Sequence, residues 1–251
     1  MTFTNKAFTW IELLVVLVII GVLVLLLLPV VETARPASQC MQCANNLKQL
    51  GLAMHNYHDE YGCLPPAYVA DENGKPMHSW RTLLLPYMEQ KALYDQYNFD
   101  EPWDSPANQV VVGSVIDCLR CPSAKSNLAS GQPLPENRTC YVMITGPGMF
   151  SEGENCVTTK DIADGTSNTI MIVEIRNSDI AWAEPRDLRA DELWGINNES
   201  DERPSTLGSE HHGGMNVLIC DGSVRFMPAT ITPERLRALL TIAGGEKAED
   251  F

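Results

Sequence analysis

The chain is short of positive charge. It holds 18 Lys and Arg against 32 Asp and Glu, a formal net charge of −14. Neutralising phosphates takes a basic surface, so this balance argues against nucleic acid and anionic lipid as partners, while permitting bound cations such as calcium. The chain also lacks the motifs that mark a nucleophile elbow or a zinc hydrolase: it has no Gly-x-Ser-x-Gly and no His-Glu-x-x-His. No enzymatic activity is expected from it. Internal repeats and long low-complexity tracts are missing too, which excludes a solenoid and a disordered linker protein.

What the chain does have is a long apolar run from Ala7 to Val31. Between Leu13 and Val31 only Gly21 and Pro29 interrupt the aliphatic side chains. A run of that length can cross a hydrocarbon core of about 30 Å as one helix. One carboxylate, Glu12, stands at its start, four residues after Phe8. Such a group near hydrocarbon costs on the order of a few kcal/mol unless paired, which marks a functional position. A secretory signal peptide would have a shorter apolar region of about 7–15 residues. A plain single-pass anchor would leave the placement of Glu12 and Phe8 unexplained.

The segment Phe8-Thr9-Trp10-Ile11-Glu12-Leu13-Leu14-Val15-Val16 resembles the start of type IV prepilins and type II secretion pseudopilins. The resemblance implies a leader, residues 1–7, removed by a prepilin peptidase between Ala7 and Phe8, and methylation of the new N-terminal Phe. Ala7 stands where that family usually has Gly. Glu12 becomes the fifth mature residue, the family's assembly position. The amine created at Phe8 of one subunit can neutralise Glu12 of its neighbour, so the carboxylate penalises the lone helix and favours the bundled one. The implied partners are the peptidase, other pilin-like subunits through the N-terminal helix, and the membrane. The implied location is a single pass through the inner membrane with a periplasmic or extracellular head. All eight cysteines lie beyond the apolar run, which suits an oxidising compartment.

After the run about 220 residues remain, enough for a sizeable domain. The expected organisation is a membrane and assembly helix over 8–31, a helical continuation over 32–61, and a globular head over 62–251. Cys43, Leu47, Leu50, Met54, Tyr57 and Tyr61 recur every three or four residues and form an apolar stripe on one helix face. Pro29 and Arg35-Pro36 are expected to bend this helix. A second helix is expected over Trp80–Tyr97, capped by Ser79 and either kinked or split in two at Pro86. The Pro- and Asn-rich stretch from Pro102 to Arg138 reads mostly as loop, with a short element near Val110–Val115. Strands are expected at Cys140–Thr145, Thr169–Ile175, Asn216–Cys220 and Ser223–Met227, the last two joined through Asp221-Gly222 as a two-residue hairpin. Thr232-Pro233-Glu234 opens a final helix that stops at Gly244. The fold class is α+β: a long helix packed on an antiparallel sheet, with short additional helices.

A second resemblance covers nearly the whole chain. Gln42-Cys43-Ala44-Asn45-Asn46-Leu47-Lys48-Gln49-Leu50, His55-Asn56-Tyr57-His58, Ser79-Trp80-Arg81, Pro102-Trp103-Asp104, Cys121-Pro122-Ser123, Asp164-Gly165-Thr166-Ser167-Asn168-Thr169 and Gly244-Gly245-Glu246 follow one another. With them stands a His, nine residues, then Asp-Gly: His211, Asp221 and Gly222. The set is similar to the prepilin-like bacterial family known as domain of unknown function 1559. That resemblance implies pilin-like processing and an envelope protein, and brings no established activity. Read physically, Asp221-Gly222 makes a tight turn, and His211 either fixes the entry to the hairpin or binds a metal.

Two further groups are candidate sites. Cys40-x-x-Cys43 and Cys118-x-x-Cys121 have zinc-like spacing within each pair, but a long gap separates the pairs. Cys40 and Cys43 lie one turn apart on a helix and point alike, so each could reach Cys118 or Cys121. Disulfides, buried thiols and structural zinc all stay open. Asp161 and Asp164 sit in an oxygen-rich loop that could hold calcium, though it departs from the EF-hand pattern; an Asx-type turn is the alternative. The function expected from the whole is assembly or surface display in a pilus- or type II secretion-like system. The alternative is a membrane-anchored extracytoplasmic module that binds a glycan, peptide or cation.

Overall fold

The computed structural model of the chain describes residues 10–124, 131, 133–193, 196 and 206–245; the side chains of residues 26–34 and 192 lie outside the description. The backbone separates into two compact units, Met1–Gln39 and Cys40–Phe251. The boundary falls inside the first helix, not at its end, because the second half of that helix supplies the head with core. Helix α1 runs without interruption over Trp10–Tyr61. It passes through Pro29 and Pro36 as one element. It ends at Gly62, which adopts φ +79° and whose N–H donates to His58 O (2.7 Å), the left-handed stop that glycine allows.

In the first unit the described side chains from Trp10 to Leu25 are exposed. Among the described residues no helix is long and apolar enough to cross a membrane. The expected span over residues 8–31 lies partly outside them, at Phe8 and Thr9 and in the side chains from residue 26 onward. Ala7, on the other side of the expected cut, is outside them as well.

In the second unit the expected stripe is the core. Cys43, Leu47, Leu50 and Met54 are fully buried, Tyr57 is half-buried and Tyr61 is exposed at the rim. They pack on a sheet ordered β3 (Tyr141–Val142), β5 (Ile170–Arg176), β8 (Gly214–Ile219), β9 (Val224–Pro228), with β7 (Thr206–Leu207) also paired to β5. Every pairing in it is antiparallel. Alternation along the strands divides its faces. Tyr141, Met143, Leu218 and Cys220 join the cluster built on α1. Val142, Ile144, Met215, Val217 and Ile219 join a second cluster with Leu236, Leu239 and Leu240 of α5 (Pro233–Leu240). Both faces of the sheet are therefore covered, which is why β8 is buried along its whole length. Gly51 sets the contact between α1 and the sheet: a Cβ there would come within 2.9 Å of Leu218 Cδ1.

Several expectations are refined. The helix expected over Trp80–Tyr97 is three short pieces: α2 (Trp80–Leu83), a 3-10 turn at Leu85–Met88 and α3 (Lys91–Tyr94). Ser79 caps the first by accepting from Arg81 N–H, and Pro86 removes the donor that a continuous helix would need. A hairpin of β1 (Tyr68–Ala70) and β2 (Pro76–Ser79) precedes it, and a short parallel pair joins β4 (Ile144–Thr145) to β6 (Leu188–Arg189). The element near Val110 is α4 (Gln109–Val112). The loop before it is held by the fully buried Asn108, whose amide donates to Asn98, Glu101 and Pro102 carbonyls. The β8–β9 turn is one residue longer than a two-residue hairpin. Gly222 N–H donates to Ile219 O and Ile219 N–H to Ser223 O, with Gly222 at φ +84°. This is a type I turn followed by a left-handed bulge residue. Helix α5 begins as expected, with Thr232 Oγ1 accepting from Arg235 N–H, but it ends at Leu240, before Gly244.

One buried ion pair joins these parts. Arg81 is fully buried and its guanidinium pairs with Asp187. It also donates to Tyr141 O (3.1 and 3.0 Å) and to Ser79 Oγ (2.8 Å). Asp187 accepts in addition from Trp80 Nε1 (3.0 Å) and Met143 N–H (3.0 Å). Breaking a buried pair leaves an uncompensated charge and costs about 3–5 kcal/mol. Asp187→Asn is therefore expected to destabilise the head by that amount in denaturant unfolding followed by near-ultraviolet circular dichroism. Lys91→Ala, at an exposed residue paired with the exposed Asp95, is expected to stay within about 0.5 kcal/mol of the parent. Equal losses in the two variants would show that Asp187 is not a structural pin.

Candidate functional site

The buried polar groups of the head gather where α1, the loop after α4, β5 and the entry to β8 meet. Cys43 comes from the apolar face of α1. Cys121 follows the 3-10 turn Asp117–Leu119, and its loop is pinned to the sheet because Cys140 N–H donates to Leu119 O while Cys140 O accepts from Ile175 N–H. His211 sits in the turn before β8, where Ser209 Oγ accepts from His211 N–H (3.1 Å) and donates to Gly214 O (2.7 Å). Cys43 Sγ lies 3.0 Å from Cys121 Sγ, and Cys121 Sγ lies 3.7 Å from His211 Nε2. Glu174 of β5 places Oε1 3.8 Å from the same ring nitrogen. All four residues are buried.

The surrounding groups hold these side chains in place. Glu174 accepts from Asn216 N–H (2.7 Å) and from the Asn216 amide. Asn46 donates to Arg120 O (2.9 Å) and to Tyr141 Oη (3.3 Å). Burial pushes Glu174 up to about 7, against the opposing pull of Asn216 and His211. Cys121 is held below the ordinary thiol range, first by the hydrogen bond from Cys43, then by His211 and the Ser123 N–H. Cys43 is raised by that same hydrogen bond and by burial. The site thus favours negative charge on the Cys121 sulfur.

The expected candidates are sorted by this geometry. The structure brings Cys43 together with Cys121 and His211. Cys40, one turn earlier on α1, lies beside the cluster, with Asn216 Nδ2 3.6 Å from its sulfur. Cys118 instead lies against Met88, its sulfur 3.8 Å from the thioether. Asp221 accepts from Ser223 N–H (2.8 Å) in the hairpin turn, and Gly222 packs against His55, as turn geometry requires. The two loop carboxylates are engaged by protein donors. Asp161 accepts from the Thr158 N–H and hydroxyl. Asp164 accepts from Gly244 N–H (2.7 Å) and Gly245 N–H (2.9 Å). Glu12 lies exposed in the first turn of α1. Sequence reasoning missed Glu174 and Asn216, which sit in strands that read as apolar. An acidic residue in the middle of Ile170–Arg176 was the available sign.

A long helix backing an antiparallel sheet, with two cysteines and a histidine gathered between them, defines an α+β architecture. The chain belongs to the family described as protein of unknown function (DUF1559), matched over residues 32–193 and 183–234. Searches of curated proteins and of solved structures returned no match.

A second cysteine pair lies apart from this site. Cys63 follows α1 and Cys156 precedes Val157, and Leu64 N–H donates to Val157 O (2.8 Å) across an antiparallel bridge. Burial and a hydrogen bond to Cys156 push the Cys63 thiol up to about 11. These two are expected to form a disulfide in an oxidising compartment. Peptide mapping without reductant should recover residues 63 and 156 as one cross-linked species. Cys63→Ser should cost about 2–5 kcal/mol under oxidising conditions and nothing under reducing ones.

Proposed function

We propose that this chain is a prepilin-like cell-envelope protein, cleaved between Ala7 and Phe8 by a prepilin peptidase, N-methylated at Phe8, and assembled or displayed through its N-terminal helix. The observation that carries this reading is the exposed face of α1. Its large apolar side chains from Trp10 to Leu25 are 42 to 78 % exposed, with Glu12 in the first turn. An apolar surface of that extent calls for a cover of lipid or neighbouring helices. A single carboxylate in such a cover calls for a counter-charge, and the amine of a cleaved neighbour supplies one. The head would then be periplasmic or extracellular, and its own chemistry would be display and not catalysis.

A membrane-anchored binding module is the second reading. It is favoured by a cleft of about 900 Å³ bordered by Tyr68, Glu152, Arg186, Arg189, Asp191 and Arg237. Its mixed charges and aromatic edge suit a polar ligand such as a glycan or peptide.

Two measurements separate the readings. Mass spectrometry of the mature protein should find Phe8 at the N-terminus carrying one methyl group; retention of Met1 through Ala7 would leave only the anchor. Glu12→Val should leave insertion and head folding intact while abolishing cross-linked multimers in membranes. An unchanged ladder in that variant would favour the binding module.

A further inference from the structure

The geometry points to a binding site for one soft divalent metal ion of the zinc class in the head, ligated by Cys43 Sγ, Cys121 Sγ and His211 Nε2. The three donor atoms lie within 4.8 Å of one another and all three residues are buried. They arrive from chain segments 78 and 90 residues apart. Two thiolates and an imidazole are the donor types such an ion selects.

The distances fit after a small adjustment. With Zn–S near 2.3 Å and Zn–N near 2.05 Å, a tetrahedral ion sets sulfur and nitrogen about 3.6 Å apart and the sulfurs about 3.8 Å apart. Cys121 Sγ and His211 Nε2 already stand 3.7 Å apart. The sulfurs, at 3.0 Å, open, and Cys43 Sγ and His211 Nε2, within 4.8 Å of each other, close, by side-chain rotation. A disulfide would account for the two sulfurs alone, whereas a metal accounts for the imidazole as well. The Cys63–Cys156 pair makes the contrast: it lies half-exposed to exposed, and among the described residues it belongs to no such three-donor group.

A carboxylate completes the buried donor group: Glu174 Oε1 stands 3.8 Å from His211 Nε2. The outer contacts are those a metal site requires to orient its ligands. Tyr141 hydrogen-bonds Cys43, and Ser123 N–H bonds Cys121. Ser209 fixes the backbone of His211. Asn216 holds Glu174 beside the ring nitrogen. An entry path exists: a cleft of about 470 Å³ reaches Cys121 past Gln42, Asn46 and Arg120. This gives His211 a chemical role, with the Asp221-Gly222 turn closing the strand that follows it.

The test uses the full chain, extracted in detergent without reductant, and Zn²⁺ or Co²⁺ alone as probe. Elemental analysis should find one zinc per chain, with Cys43 and Cys121 recovered as separate peptides. Co²⁺ should give thiolate-to-metal absorption in the near ultraviolet. His211→Asn should weaken Zn²⁺ binding by more than about 100-fold, beyond what loss of an outer contact causes. His211→Cys should restore it, because a thiolate replaces the lost donor; this variant keeps the test decisive if His211→Asn fails to fold. Cys63→Ser and Cys118→Ser should bind as the parent does. A Cys43–Cys121 cross-linked peptide in the isolated protein would overturn the site. So would parental affinity in His211→Asn, or failure of the chain to take up either ion.

Discussion

The head depends on a charge placed where water cannot reach it. Arg81 enters the core at the start of a four-residue helix and finds three acceptors there: Asp187, Tyr141 O, which takes two contacts, and Ser79 Oγ. Asp187 in turn collects the Trp80 indole and the Met143 amide. The pair fixes the β2–α2 corner against β3 and brings the loop around residue 187 over both. A guanidinium held this way tolerates little displacement, since each lost contact leaves a buried polar group unsatisfied. The Ser-Trp-Arg motif is therefore architecture. It ties the β2–α2 corner to β3, whose Tyr141 Oη accepts from Asn46 of α1.

The other motifs pair off in the same manner. Asp164 binds the Gly244 and Gly245 amides 80 residues away, so the Asp-Gly-Thr-Ser-Asn-Thr loop and the Gly-Gly segment are two halves of one clasp. Asn46 on α1 joins Arg120 O and Tyr141, which ties the helix to the cysteine loop. In each case a short polar motif closes a contact between remote segments by hydrogen bonds to backbone. Backbone groups left unpaired at such joints would cost as much as the bonds contribute. The cysteines serve two chemistries in this scheme. Cys63 and Cys156 stand across a bridge near the surface, where a covalent tie is the natural use. Cys43 and Cys121 stand inside with an imidazole and a carboxylate, where a metal ion fits the donor set.

In the first unit the described apolar side chains of α1, from Trp10 to Leu25, are exposed. Under the proposed function their cover is bilayer before assembly and sister helices after it, and Glu12 makes the second environment the better one.

How much of this was legible follows from the range of each interaction. The α1 stripe, the cap at Ser79, the β8–β9 hairpin and the start of α5 were readable because helix periodicity, capping and turn chemistry are set by residues within a few positions of one another. The break in the Trp80–Tyr97 helix was readable at Pro86 for the same reason, though not its division into three pieces; the β1–β2 hairpin and the short β4–β6 pair were not readable, because tertiary contacts overrode weak local preference. The same limit applied to the site. Sequence spacing put Cys40, Cys43, Cys118 and Cys121 in two equal pairs, yet three-dimensional packing turned Cys118 toward Met88, matched Cys43 with Cys121, and delivered His211 and Glu174 to them. The sequence by itself determined the long helix, its apolar run with one acid, and the α+β class, since each rests on local pattern. Only the tertiary structure decided which sulfur meets which partner, because that depends on how helix and strands cross, and no local pattern encodes the crossing.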